Sequence, residues 1–241
     1  MKTSDIQVSL VDHMGSDLSV VNAARVSFHK ESEWANEDAK YADFADGLWR
    51  GVHPEFKGVL TIQDTKLINY LAKHKHFSPF NHAFITMRVK APIFVARQLV
   101  KHKFMPWNEV SRRYVDDEPE FYFPDVFRAK AENVKQGSSD RAVRIIDDDG
   151  YNIVEHSTYC ANELYKDLIH QGVAPEQARM VLPQNMMTEW IWSGTLGAYC
   201  DMLRLRLDPH TQYESRIVAE KIHEIIKPLF PVSVSALLEA K

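Results

Sequence analysis

Ile6, Val8 and Leu10 alternate with polar neighbours, a period of two that predicts an opening strand. A second alternation runs from Ala83 to Val89, with Ile85, Met87 and Val89 on one face and Phe84, Thr86 and Arg88 on the other. Between them, Asp64 is placed to cap a helix whose Leu67, Ile68, Leu71 and Ala72 form an apolar stripe. Residues 30 to 62, rich in charge and in Trp, Gly and Pro breaks, read as an elaborated surface loop. Pro92 suits the first position of a helix reaching about Lys103, because proline there loses no needed N–H, and Pro106 ends it. The stretch GSSD at 137 to 140 and the acidic run Asp147 to Asp149 predict an inserted, hairpin-like connection. The last third reads as helical. One helix covers roughly 153 to 171 and closes at Gly172, and Pro175 begins a short one. A third runs from about Met187 to Leu207, and the last carries Ile217, Val218, Ile222, Ile225 and Ile226.

With 241 residues and 45% hydrophobic side chains the chain can bury one substantial core, and a single domain over 1–241 is expected, with insertions near 30–62 and 134–150. No apolar run approaches the roughly 20 residues that span a bilayer. The start MKTSDIQVSLVDHMG lacks the charged-then-apolar layout of a secretory signal, so a cytoplasmic location is expected and no membrane partner. The two cysteines, Cys160 and Cys200, each follow a tyrosine within a helical pattern and have no paired-ligand spacing. They read as buried free thiols rather than a disulfide or a zinc knuckle.

Charge changes the picture between Arg97 and Tyr114. Five fixed cations, Arg97, Lys101, Lys103, Arg112 and Arg113, with His102 able to add a sixth, surround one acid, Glu109. The formal net charge is -4, so this excess is local and points to an anion. On the expected helix Gln98 stands three residues before Lys101 and four before His102, so these groups share neighbouring faces. Gln98, Asn108 and Ser111 add neutral donors and acceptors suited to a polar ring. Arg179 and Arg206 place further guanidinium groups in apolar helical contexts, where an unpaired charge is expensive to bury. The competing readings are a solvated basic face and, for Arg179, a salt bridge to a core carboxylate. His74, His76 and His82 invite a metal, but no carboxylate completes a ligand pattern. Ser111 has no GxSxG elbow and reads as a phosphate or ring contact rather than a nucleophile. Cations interleaved with Phe104, Trp107 and Tyr114 could track a single strand, a reading opposed by the net acidity, so no nucleic acid is expected.

Six blocks, VNAARVSF at 21–28, HFSPFNHAF at 76–84, VKAPIFVARQ at 89–98, NEVSRRY at 108–114, ARMVLPQN at 178–185 and LRLDPH at 205–210, carry a resemblance to flavin-dependent thymidylate synthase. The resemblance implies an α/β (α+β) fold with a small antiparallel sheet flanked by helices. It also implies a homotetramer with FAD at subunit junctions. The implied reaction is methylation of dUMP to dTMP with methylenetetrahydrofolate as carbon donor and NADPH as reductant. The family signature is an Arg-His-Arg triplet followed after seven residues by Ser. Here it reads Lys101, His102, Lys103 and then Ser111, so the spacing is kept while the planar fork of arginine is lost.

Matched block by block, the resemblance assigns the nucleotide to Gln98, Leu99, Val100 and Lys101, then Glu109, Val110, Ser111, Arg112 and Arg113, with Arg179 and Arg206. It assigns FAD to Ser78, Lys101, His102, Lys103, Glu109, Thr195 and Asp201. Similar proteins often carry Asn at positions 195 and 201. Arg206 matches the residue that favours ionisation at N3 of the pyrimidine, and is the expected catalytic residue. His76 is a folate or reductant candidate; His210 either lines FAD or caps the final helix. A related flavoenzyme acting on another pyrimidine deoxynucleotide such as dCMP is the alternative, followed by a nucleotide or single-strand binder without catalysis.

Overall fold

The computed structural model of the chain describes residues 1–35, 59–132 and 137–239. The alternation of Ile85, Met87 and Val89 forms the strand it predicts. In chain order the short strand β1 (Lys2–Thr3) precedes β2 (Gln7–Met14) and β3 (Phe84–Pro92). All three alternating residues of β3 are fully buried, and Arg88 faces out. Burial of each contributes about 1.5–3 kcal/mol. β4 (Trp107–Glu109), β5 (Glu120–Phe121), β6 (Arg128–Lys130), β7 (Ser138–Ala142) and β8 (Met187–Thr195) follow. The main sheet has the order β2-β3-β8-β4, and each neighbouring pair is antiparallel. β2 is an edge strand, so Ile6 before it is buried while Leu10 is exposed. β1 pairs with β5, and β6 with β7 gives the hairpin-like pairing expected in this region.

β8 corrects the sequence reading. The helix expected from Met187 to Leu207 is a strand that passes directly into α6 (Leu196–Arg206). Thr188, Trp190, Trp192 and Gly194 fall on the buried face at a period of two, as befits a strand rich in aromatic side chains. Thr195 then caps α6, its hydroxyl accepting the Ala198 N–H at 3.2 Å.

The earlier helices are α1 (Asp17–Arg25), α2 (Ile62–Lys73) and α3 (Ile93–Leu99). α2 carries the expected stripe but is capped by Thr61, which accepts the Asp64 N–H at 3.1 Å; the Asp64 carboxylate is buried and turned to Arg25. α3 begins one residue after Pro92 and stops at Leu99, short of the expected Lys103. The chain then turns tightly, with Phe104 in the left-handed region at φ 60, and Met105 re-enters the core. Lys101, His102 and Lys103 therefore project from a turn, not from a helical face. The expected insertion near 30–62 lies outside the described residues from 36 to 58, as does 133–136 of the second one.

The last third holds α4 (Ile153–His170), α5 (Pro175–Ala178), α7 (Tyr213–Leu229) and α8 (Pro231–Glu239). Gly172 closes the turn after α4 at φ +84, which only glycine adopts without strain. α8 was not expected; Pro231 starts it afresh after α7. One contiguous apolar core joins the sheet to α6, α7 and α8 and includes Phe80, Trp190, Trp192, Tyr199 and Phe230. Cys200 is buried within it, but Cys160 is exposed on α4, which corrects the expectation of two buried thiols. No helix among the described residues is long and apolar enough to cross a membrane.

Candidate active site

A cleft of about 710 Å³ opens beside the β4–β8 edge. Arg97 from the last turn of α3, Glu109 and Val110 from the end of β4, Arg112, and Arg179 from the turn after α5 all line it. The structure thus brings together four of the residues expected at the nucleotide, Glu109, Val110, Arg112 and Arg179, and adds Arg97 of the cationic cluster. The neighbouring cations are engaged: Lys90 pairs with Glu120 at 2.6 Å and Arg88 with Glu189 at 3.0 Å. Arg112 donates to the Asp117 carbonyl. Arg179 is exposed, not set in an apolar helix, and its Nε donates to the Glu176 carbonyl at 3.3 Å rather than to a core carboxylate. Its guanidinium keeps further N–H donors for an anion. Ser111 accepts from Arg113 Nε at 3.3 Å, and Arg113 also lies over the Tyr114 ring.

Arg206 and the Lys101–Lys103 triplet form a second group. Arg206, half-buried at the end of α6, donates its Nε–H to Nε2 of His102 at 2.9 Å. Arginine has no acceptor, so His102 Nε2 carries no proton. Burial first, and the charge of Arg206 second, hold the imidazole at about 4 instead of 6.5. Lys101 and Lys103 flank it, exposed. Trp192 lies 6.3 Å from the His102 ring, and Trp107 stacks on Trp190 at 4.2 Å with its edge toward Trp192 at 5.6 Å. A row of indoles along β8 therefore stands between the His102–Arg206 pair and Glu109. Arg206 is not among the residues that line the cleft of Arg97, Arg112 and Arg179.

The remaining candidates are dispersed. Ser78 opens an exposed 3₁₀ turn, Ser78–His82, whose Asn81 accepts the Thr195 hydroxyl at 2.8 Å. Gly197 lies beneath this contact, where a Cβ would approach the Asn81 oxygen to 2.7 Å. Asp201 pairs with Arg204 at 3.0 Å. His76 is exposed near His74, at 6.4 Å between rings. His210 is exposed in the turn after α6, and the N-cap position of α7 is Gln212, so His210 does not cap it. Leu99 is fully buried, which leaves only its backbone to meet a ligand, whereas Val100 and Val110 are exposed. Gln98 Oε1 is buried with no hydrogen-bond partner among the described residues. Among those residues no group of three or more His, Cys, Asp or Glu could hold a metal.

Thr188 and Asn81 escaped the sequence reading, and Trp107 was read only as a stacking aromatic. Thr188 donates to Glu109 Oε1 at 2.8 Å, Trp107 Nε1 donates to Glu109 Oε2 at 3.1 Å, and Asn81 joins the Ser78 turn to α6. Alternation over 187–195 is the signal that could have found Thr188.

Residues 9–232 match the family model described as thymidylate synthase complementing protein. The chain belongs to this family. All six motif blocks lie within the match. The chain is 37% identical over 232 residues to a flavin-dependent thymidylate synthase of Thermus thermophilus, covering 96% of this chain and 75% of that protein. The one from Kosmotoga olearia is also 37% identical, over 235 residues, with coverage of 96% and 89%. Among solved structures, a UMP/dUMP methylase, PolB, from Streptomyces cacaoi bound with 5-Br dUMP superposes with a TM-score of 0.75. It is 33% identical, and the match covers 99% of this chain and 97% of that one. As in other mixed α/β folds, the sheet serves as a frame. The cationic groups lie in the last turns of α3 and α6 and in the turns beside the sheet.

Proposed function

We propose that the chain reductively methylates dUMP to dTMP with FAD, methylenetetrahydrofolate as carbon donor and NADPH as reductant, acting as a cytoplasmic homotetramer with sites at subunit junctions. The observation that carries this reading is the contact of Arg206 with His102. It joins the middle residue of the triplet to the LRLDPH block and holds a guanidinium beside a neutral imidazole at 2.9 Å. Such a guanidinium stabilises negative charge developing on a pyrimidine without surrendering a proton. Arg97, Arg112 and Arg179 of the cleft suit a 5'-phosphate, for which arginine's fork is well shaped. The row of indoles separates these arginines from Arg206 within one chain, and a junction of two chains is one way for both groups to meet the same nucleotide.

The residues fit a flavin. Gln98 Oε1 is a buried acceptor lacking a partner among the described residues, and Lys101 and Lys103 offer cations for a pyrophosphate. Ser78, Thr195 and the Asn81 between them supply polar groups at the start of α6, and Asp201, Glu109 and His210 would complete the contacts. Lysine keeps the charge of the family's triplet but makes weaker, less directional phosphate contacts than arginine. Bound FAD supplies the hydride. Neither cysteine lines the cleft, and burial pushes the Cys200 thiol up, away from the thiolate a nucleophile needs.

Purified protein should be yellow and should form dTMP from dUMP, methylenetetrahydrofolate and NADPH. Product analysis with dCMP and UMP offered in parallel defines the base and sugar. A colourless protein that leaves dUMP unchanged overturns the proposal.

A further inference from the structure

Glu109 differs from the ion-paired glutamates of the cleft in what holds it. Glu120 and Glu189 are paired with Lys90 and Arg88. Glu109 is in no ion pair among the described residues. Its two oxygens instead each take one neutral donor, the Thr188 hydroxyl on Oε1 at 2.8 Å and the Trp107 indole N–H on Oε2 at 3.1 Å. A glutamate on an exposed three-residue edge strand would otherwise sample many rotamers. Both holders are rigid. Thr188 is buried in β8, and Trp107 is stacked on Trp190 and edge-on to Trp192.

We propose that Trp107 and Thr188 are positioning residues that fix the Glu109 carboxylate as a hydrogen-bond acceptor for the uncharged part of the nucleotide; this rests on the functional reading above. Neutral donors leave the carboxylate its full charge, and each oxygen retains a lone pair. Such a group repels phosphate and accepts from a ring N–H or a sugar hydroxyl. It therefore orients the nucleotide opposite to the attraction of Arg97, Arg112 and Arg179 in the same cleft. Removing a single holder leaves the carboxylate present but free to turn away, so binding weakens without loss of the contact group itself.

The test is a set of double-mutant cycles on the flavin-loaded protein, with dUMP binding measured by calorimetry and KM and kcat measured in parallel. Thr188→Val and Trp107→Phe should each weaken dUMP binding by about 5–10-fold, the scale of one hydrogen bond. KM should rise with kcat changed less than about 3-fold, and Thr188→Ser should restore binding. In a Glu109→Ala background the same two changes should alter dUMP binding by less than about 2-fold, because no carboxylate remains to be held. Equal weakening in both backgrounds would show a general packing role and overturn the proposal, as would unaltered binding in the native background. If the native protein neither binds nor methylates dUMP, the functional reading falls and this inference with it, an outcome distinct from the other two.

Discussion

Arg206 donates its Nε–H to Nε2 of His102 at 2.9 Å across 104 positions of sequence, which fixes the imidazole as a neutral ring protonated on Nδ1. One contact thus sets both the orientation of the proposed catalytic guanidinium and the protonation state of the middle residue of the triplet.

The first consequence is a pH dependence. His102 is held at about 4, below its ordinary 6.5, so between these values the unfolded chain binds more protons than the folded one. The contribution of His102 to stability is therefore complete above pH 6.5 and is lost as the pH falls toward 4. Denaturant unfolding at pH 7.5 and pH 5 should show a larger loss for the native protein than for His102→Gln. NMR titration of the ring should give a midpoint near 4, and a midpoint near 6.5 would remove the argument.

Arg206→Ala should lower dTMP formation by roughly 100-fold or more, the scale of losing one preorganised charge at the reacting ring. Flavin should remain bound, and the His102 midpoint should rise as the neighbouring charge is removed. Unchanged turnover would strike Arg206 from the mechanism.

How much of this was legible in the sequence differs by element. β3 was legible because its outward Arg88 and Lys90 mark a period of two against the buried Ile85, Met87 and Val89. β8 was not. Its outward positions include Ile191, and it runs into the apolar start of α6 without a proline break, so a helical stripe fitted equally well. α3 was overextended because nothing local in KHKF signals the left-handed turn at Phe104. Arg97, Glu109, Arg112 and Arg179 could be named from their blocks. The bond from Thr188 to Glu109 could not, since it depends on the pairing of β4 with β8, strands far apart in sequence.

Asp64 anchors a network on the far side of the core. Its Oδ1 accepts from Arg25 at 2.6 Å and from Ser32 at 2.9 Å, and its Oδ2 from Thr61 at 2.7 Å. Burial pushes this carboxyl up, but the hydrogen bonds from Arg25, Thr61 and Ser32 outweigh it and leave it below the usual 3.8. Its contribution is present above that value and is lost as pH falls through the lower folded one. Asp64→Ala, which strands the partly buried Arg25, should destabilise by about 3 kcal/mol in denaturant unfolding. A change within about 0.5 kcal/mol would show that the network is dispensable.

The cysteines separate stability from chemistry. Cys160 should react with a thiol reagent in the native protein and Cys200 only after unfolding, given their exposure. Replacing both by alanine should leave turnover of the folded protein largely intact, with about 1 kcal/mol lost at Cys200. Complete loss of activity without unfolding would reveal a thiol in the reaction.

The buried carboxylate of Asp17 accepts the backbone N–H groups of Val232 and Ser233 at 2.9 Å each, so the start of α1 serves as the cap of α8. A nascent chain emerging from the ribosome buries this acid only after more than two hundred further residues have been synthesised. The final assembly of the core is therefore a late, high-contact-order event. A chain arrested before Val232 would leave Asp17 in water and the apolar face that α8 covers exposed, and should be a preferred target for quality-control proteolysis.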